Sequence, residues 1–316
     1  MKTLKFIPIV VGAATLAFSL VAFTLKVEKP EKPLREIPKG CVFLTVMGEE
    51  RSDSSFMYKT PDGVTTSVNR GLTWLAKAQN NNGGWGAGSH SRQHIMDPHA
   101  VQTDPATTSM VAMAILRSGS TLTKGEYTAQ LNKALEYILR AVEQSPAATY
   151  NITELTGTQI QTKLGANIDV VLASQFLSNV IEHTQHDKAL QARVKKNLNT
   201  CVAKIQRAQD RDGSMTGDGW AGVLQSSFAT TALEAAQANG ANVDEDGLRK
   251  SREFQKNNYD AKTGESKTDR GAGIVLYSVS GSTRASAKEA RRVQEEMERA
   301  KGSGRLAQSA DRKSVV

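Results

Sequence analysis

Aromatic residues are scarce in this chain. Three Trp, six Tyr and eight Phe make up 5% of 316 residues, so any cavity has few rings to line it. Cysteine is nearly absent: Cys41 and Cys201 lie far apart in unlike contexts. No disulfide framework follows from two such residues. Cys201 falls in a helical apolar pattern and reads as core, whereas Cys41 opens a short apolar run to Met47 with strand character. Strand signals are otherwise few, and the middle of the chain is rich in Ala, Leu, Gln, Lys and Glu, which favour helix. Acidic charge falls short of basic charge, leaving a formal net charge of +8. Part of that excess sits between Arg284 and Val316, as a solvated basic end. No ordered basic and aromatic pattern accompanies it, so nucleic-acid recognition is not expected.

Long hydrophobic runs are missing except at the start. Lys2 and Lys5 precede an apolar run from Phe6 to Leu25, long enough to span a bilayer as a helix. Residues 1–25 therefore read as a signal anchor, with a removed signal peptide as the alternative. Ala17 and Ser19 fit a small-residue cleavage rule, but cutting there leaves the apolar stub Leu20 to Leu25, which favours the anchor. Either way, positive residues stay inside and the rest of the chain faces the periplasm or the cell exterior. Residues 26–40 carry Pro30, Pro33 and Pro38 among Lys and Glu, the composition of an extended spacer. Residues 41–65 form a short extension, 66–300 a repeat domain, and 301–316 a disordered basic tail. The roughly 240 residues of the middle suffice for one sizeable core.

What is present is a repeat. Gly71 to Gly86 reads as an amphipathic helix, with Leu72, Leu75 and Ala76 on one face, ending at Gln79. A glycine-rich turn with Gly83 and Gly84 follows and presents Trp85. A Gln at a helix end can bond free carbonyls there, and the Trp can fold back over the turn. A second copy places Gln209 four residues before Gly213, with Ile205 where the first has Leu75. A third, degraded copy holds Gln255 with Gly264 delayed, and a fourth ends at Gln144 without the glycine turn. Each copy predicts a second helix. Asp104 and Pro105 supply a cap and a proline at the first helical position, and Gly119 ends that helix. Ala221 to Asn239, Asn167 to Ile181 and Ala272 to Val279 are the counterparts, and Ser286 to Ala300 reads as a separate charged helix. The sum is all-α, about eight to ten helices as stacked hairpins.

The Gln, glycine-turn and Trp pattern resembles the repeat of the prenyltransferase and squalene-cyclase superfamily. That resemblance implies an α/α toroid, a double ring of helices, here short of closure. The family's chemistry finds little footing. The cyclase Asp-x-Asp-Asp acid is missing, its nearest match being Asp244-Glu245-Asp246, where acidic residues cap a helix start. Few rings are available to wall a carbocation pocket. The zinc set of protein prenyltransferases needs a His downstream of the Cys, but every His here precedes Cys201. The Gly-Cys-Gly-Glu-Gln thioester motif of related toroids is missing too.

Two further motifs fail on spacing. Asp210 to Asp218 alternates oxygen side chains like a calcium loop, but Met215 and Ala221 occupy positions that need Gly and Glu. Gly83 to Gly88 follows a helix instead of a strand, so no phosphate cradle is expected. His183 and His186 read as a solvated helix end. One constellation remains: His90, His94, Asp97, His99 and Asp104 crowd the segment after the first turn. Imidazoles and carboxylates of this kind can hold a divalent metal or perform acid–base work, though ordinary loop structure fits them better. Together these features predict an exported or envelope-anchored, non-catalytic repeat protein without a resident cofactor, binding a protein, lipid-like or glycan ligand. The alternative is a superfamily enzyme, or a toroid lyase or hydrolase, using residues 90–104.

Overall fold

The computed structural model describes residues 62–302, apart from 261, 268 and 269. All belong to one compact unit, Lys39–Val316. The apolar run Phe6 to Leu25, the proline spacer, Cys41 and residues 303–316 of the basic tail lie outside the described residues, while residues 301 and 302 close the last helix. Among those described, no helix is long and apolar enough to cross a membrane.

The described chain is all-α. Nine α-helices follow one another: α1 (Asp62–Lys77), α2 (Pro105–Arg117), α3 (Thr128–Gln144), α4 (Gln159–Leu164), α5 (Ile168–Val180), α6 (Lys188–Arg207), α7 (Gly222–Ala238), α8 (Glu245–Lys256) and α9 (Val275–Gly302). Three isolated antiparallel bridges are the β-structure among the described residues.

The helices sort into two rows by composition. α2, α5 and α7 are apolar over most of their circumference. In α5 all but Gln175 and Asn179 are buried, as expected for a helix enclosed by protein. These helices and α9 pack side by side in the order α2, α5, α7, α9. Ala229, Ala232 and Ala236 on α7 are fully buried, and their small size lets neighbours approach closely. The other row, α1, α3, α6 and α8, is amphipathic. On α3 the stripe Leu131, Leu135, Ile138, Leu139 and Val142 is buried, the spacing of a one-faced helix. α3 covers α2, α6 covers α5, and α8 covers α7. Among the described residues no packed pair joins α9 back to α2, so the inner helices form an open row.

Local signals set the ends of these elements. Asp104 caps α2 by accepting from the Thr107 amide, with Pro105 at the first helical position. Thr158 and Gln161 form a capping box at α4. The expected helices Ala272 to Val279 and Ser286 to Ala300, separate in the sequence pattern, are joined in one helix, α9, which begins at Val275, with Ala272 to Ile274 in the turn before it. The helix runs through Gly281, whose missing Cβ leaves the space that the Gln255 side chain of α8 fills.

The third repeat copy sits in a register one helical turn away from the one its sequence pattern predicts. The residue bridging the turn is Tyr259, opposite Ser266, as Gln209 lies opposite Met215. The Lys267 amide donates to the Asn258 carbonyl as the Thr216 amide donates to that of Ala208. Gln255 therefore stands one helical turn earlier, at the apolar site held by Ile205 in the other copy. It is buried, and neither of its amide atoms has a hydrogen-bond partner.

Candidate functional site

The first repeat turn is a staple between helices. The Gln79 side chain donates to the carbonyls of Gly83 and, on α3, Gln130, both at 2.9 Å. Gly84 donates its amide to Asn82. Trp85 is buried, and its indole N–H returns 2.8 Å to the Leu75 carbonyl. Its backbone amide donates to Thr108 on α2 at 3.0 Å. In the later copy, Gln209 donates to the Ser251 hydroxyl at 2.6 Å and, at 3.4 Å, to the Gly247 carbonyl, while Ser251 bonds the Gly213 carbonyl. The motif residues are thus committed to holding one hairpin against the next.

The His/Asp segment is spread over separate supports. His90 Nδ1 meets Gln159 at 2.7 Å, and His99 Nε2 meets the Lys77 carbonyl at 3.2 Å. Asp97 caps the short 3-10 turn Pro98–Ala100, and His94 is exposed. Asp104 is turned inward and buried. Among the described residues no group of three or more His, Cys, Asp or Glu is placed to hold a metal ion. Asp212 accepts from the Ser214 amide and hydroxyl within a plain turn. Asp244 caps α8 by accepting from the Gly247 amide. Cys201 is buried, and burial pushes its thiol up to about 12, beyond ordinary nucleophilic use.

A cleft of about 450 Å³ opens beside the first turn. Its walls are Asn82 from the turn, Tyr137, Arg140 and Gln144 from the end of α3, and the loop that follows, including Asn151 and Glu154. The Tyr137 ring rests against Gly84, where a Cβ would stand 2.8 Å from it. Thr103, just before α2, accepts a hydrogen bond from Asn82 at 2.9 Å, which ties the turn to the start of α2. Arg140 is half exposed and pairs weakly with Glu136 at 3.4 Å.

The loop wall is pinned from below by Lys204 of α6. Its buried ammonium donates to the carbonyls of Pro146, Thr149 and Asn151 and to the Thr149 hydroxyl, at 2.7 to 3.3 Å. Burial lowers its pKa from the ordinary lysine value. Asn151 ties the loop to α5: its amide donates to Asp169 at 3.2 Å, and its oxygen accepts from Val170 at 3.1 Å.

Behind the cleft lie two buried carboxyls. Asp169 accepts from the Ala106 amide at 3.0 Å and the Gln161 side chain at 2.8 Å. Asp104 accepts from the Thr107 amide at 2.6 Å and its hydroxyl at 2.9 Å. Burial raises both pKa values, that of Asp104 to about 6, and the Asp169 charge adds to the effect there. A carboxyl with a raised folded-state pKa stabilises fully below its unfolded value, and that contribution is lost as pH rises through the folded value. For Asp104 the window runs from 3.8 to about 6. Wild-type protein is therefore expected to lose urea resistance between about pH 4 and pH 7, with Asp104 contributing on the order of 3 kcal/mol at most. Asp104→Asn flattens this dependence in urea titrations across that range. An unchanged slope refutes the assignment.

The sequence pattern missed Tyr137, Asn151, Asp169 and Lys204. Two carry a local signal: Asp169 is a lone charge in the apolar α5, and Lys204 falls on the buried stripe of Leu198, Cys201 and Ile205. No family model matches the chain, and comparison with curated proteins and with solved structures finds no match.

Proposed function

We propose that this chain is an exported or envelope-anchored binding protein, an open arc of an α/α toroid of the prenyltransferase and squalene-cyclase repeat type. Its cleft beside the first turn takes an acidic, polyhydroxylated ligand, a uronic-acid glycan. The observation that carries this is the meeting of Tyr137, Arg140, Asn82, Gln144 and Asn151 in one cleft. An aromatic ring offers an apolar face to a sugar ring, with a hydroxyl at its edge. A guanidinium matches a carboxylate with paired N–H groups. Side-chain amides both donate to and accept from hydroxyls. The net charge of +8 favours an anionic partner at long range. Asp104 and Asp169 are occupied as hydrogen-bond acceptors at the start of α2, which favours binding over acid–base catalysis.

Calorimetry of the full-length chain with a short oligogalacturonate tests this. Saturable binding is expected, weaker with the methyl-esterified oligomer. Arg140→Gln weakens it roughly ten-fold, about 1.4 kcal/mol. No binding by wild-type protein, or binding indifferent to both Arg140→Gln and Tyr137→Ala, overturns it.

A further inference from the structure

The repeat carries more than its turn from one copy to the next. Turn 79–85 and turn 209–215 share one hydrogen-bond scheme. Asn80 N–H reaches the Gly84 carbonyl at 3.0 Å, and Asp210 N–H the Ser214 carbonyl at 2.8 Å. Gly83 N–H reaches Asn80, and Gly213 N–H reaches Asp210. Asn82 Oδ1 accepts from the second following amide, and so does Asp212 Oδ1. Trp85 N–H donates to a hydroxyl of the next inner helix, Thr108, and Met215 N–H donates to Ser226, each at 3.0 Å.

The neighbouring outer helices hold the same register. Gln79 bonds the Gln130 carbonyl and Gln209 that of Gly247. A Cβ on Gly83 would meet the Lys133 carbonyl, and one on Gly213 that of Lys250. Gln130 to Gly247 and Lys133 to Lys250 are the same shift along the chain. Carried forward, that shift takes Tyr137 to Phe254, Arg140 to Asn257 and Ala141 to Asn258, while the turn takes Asn82 to Asp212. Phe254, Asn257, Asn258 and Asp212 line a second cleft of about 280 Å³. Repetition of the backbone has therefore produced a second hollow at the corresponding place, with an aromatic ring on the corresponding wall. The cation that α3 supplies through Arg140 comes here from Lys267 and Arg270. The Arg270 guanidinium lies 5.5 Å from the Phe254 ring centroid, and among the described residues it makes no hydrogen bond.

We propose that this second cleft is a second subsite for the same acidic glycan, so that one chain holds its polymer at two points. The proposal rests on the glycan reading of the first cleft and adds the copy number. Phe254 gives the ring face, Asn257 and Asn258 the amides, and Lys267 with Arg270 the charge for the carboxylate. A ligand of repeating units suits a site that repeats, because joined subsites raise the strength of holding well above either alone.

Calorimetry of the full-length chain with a short oligogalacturonate reads this out as stoichiometry. Wild-type protein is expected to take up two oligomers per chain. Arg270→Gln, a surface change, and Arg140→Gln each weaken one site roughly ten-fold, so that at concentrations that just fill the wild-type protein each single variant holds one oligomer and the pair holds neither. Phe254→Ala repeats the Arg270→Gln result, with thermal melting as the check on folding. One oligomer per wild-type chain, lost on Arg140→Gln and untouched by Arg270→Gln, overturns the second subsite while the first stands. One oligomer lost on Arg270→Gln alone supports the second cleft and removes the first. No uptake by wild-type protein removes both.

Discussion

Gly83→Ala is expected to destabilise the protein by roughly 2–4 kcal/mol, read as a fall in the urea midpoint. Two costs combine. Gly83 has φ +91°, a conformation that L side chains avoid. Its Cβ would also stand 2.5 Å from the Lys133 carbonyl oxygen on α3, which is backbone and cannot swing away. Gly119 separates the two. Its φ is +100°, but a Cβ there meets nothing within 4 Å. Gly119→Ala therefore carries the conformational cost alone, about 1–2 kcal/mol. Gly213→Ala should match Gly83→Ala, because its Cβ would stand 2.3 Å from the Lys250 carbonyl oxygen. Equal losses at Gly83 and Gly119 would show that close helix approach has no part in the staple.

Glu234→Ala is expected to cost roughly 3–5 kcal/mol in the same measurement. Glu234 is a buried carboxylate on α7 that binds Arg252 of α8 at 3.0 Å and Arg284 of α9 through its other oxygen. Removing it takes the shared anion from two guanidiniums that are largely out of water. The comparison is Glu143→Ala. Arg193 on α6 bridges Glu136 and Glu143 on α3, and its hydrogen bond holds the Glu143 carboxyl down to about 2. Those three side chains are each about a third or more exposed, so water screens the pair, and the loss should stay within about 1 kcal/mol. High salt should narrow the Glu143 effect further and leave that of Glu234 largely intact.

The legible parts of the fold were those written in short range. Asp104 before Pro105, the glycines of the first turn and the return of Trp85 need only a few neighbouring residues to be recognised. The end of α3 at Gln144 was visible for the same reason. Gln255 shows the limit. A Gln near a helix end fits the motif by spacing, yet the bridge pairs Tyr259 with Ser266 and leaves Gln255 buried one turn earlier without hydrogen-bond partners. A helix presents the same face every turn, so spacing alone does not distinguish registers one turn apart. Among the histidines, crowding in sequence did not become crowding in space, because the side chains of His90 and His99 are held by residues far along the chain.

By itself the sequence determined the helical class, the hairpin repeat, the caps and the turn chemistry, since periodicity and capping are settled within one or two helical turns. Only the tertiary structure decided where the clefts lie and which charges are buried. Tyr137, Asn82 and Asn151 share a wall because α3, the first turn and a loop pinned by Lys204 meet there. Asp104 and Asp169 have raised pKa values because packing removed their water, a property of the assembled helices that no local pattern carries.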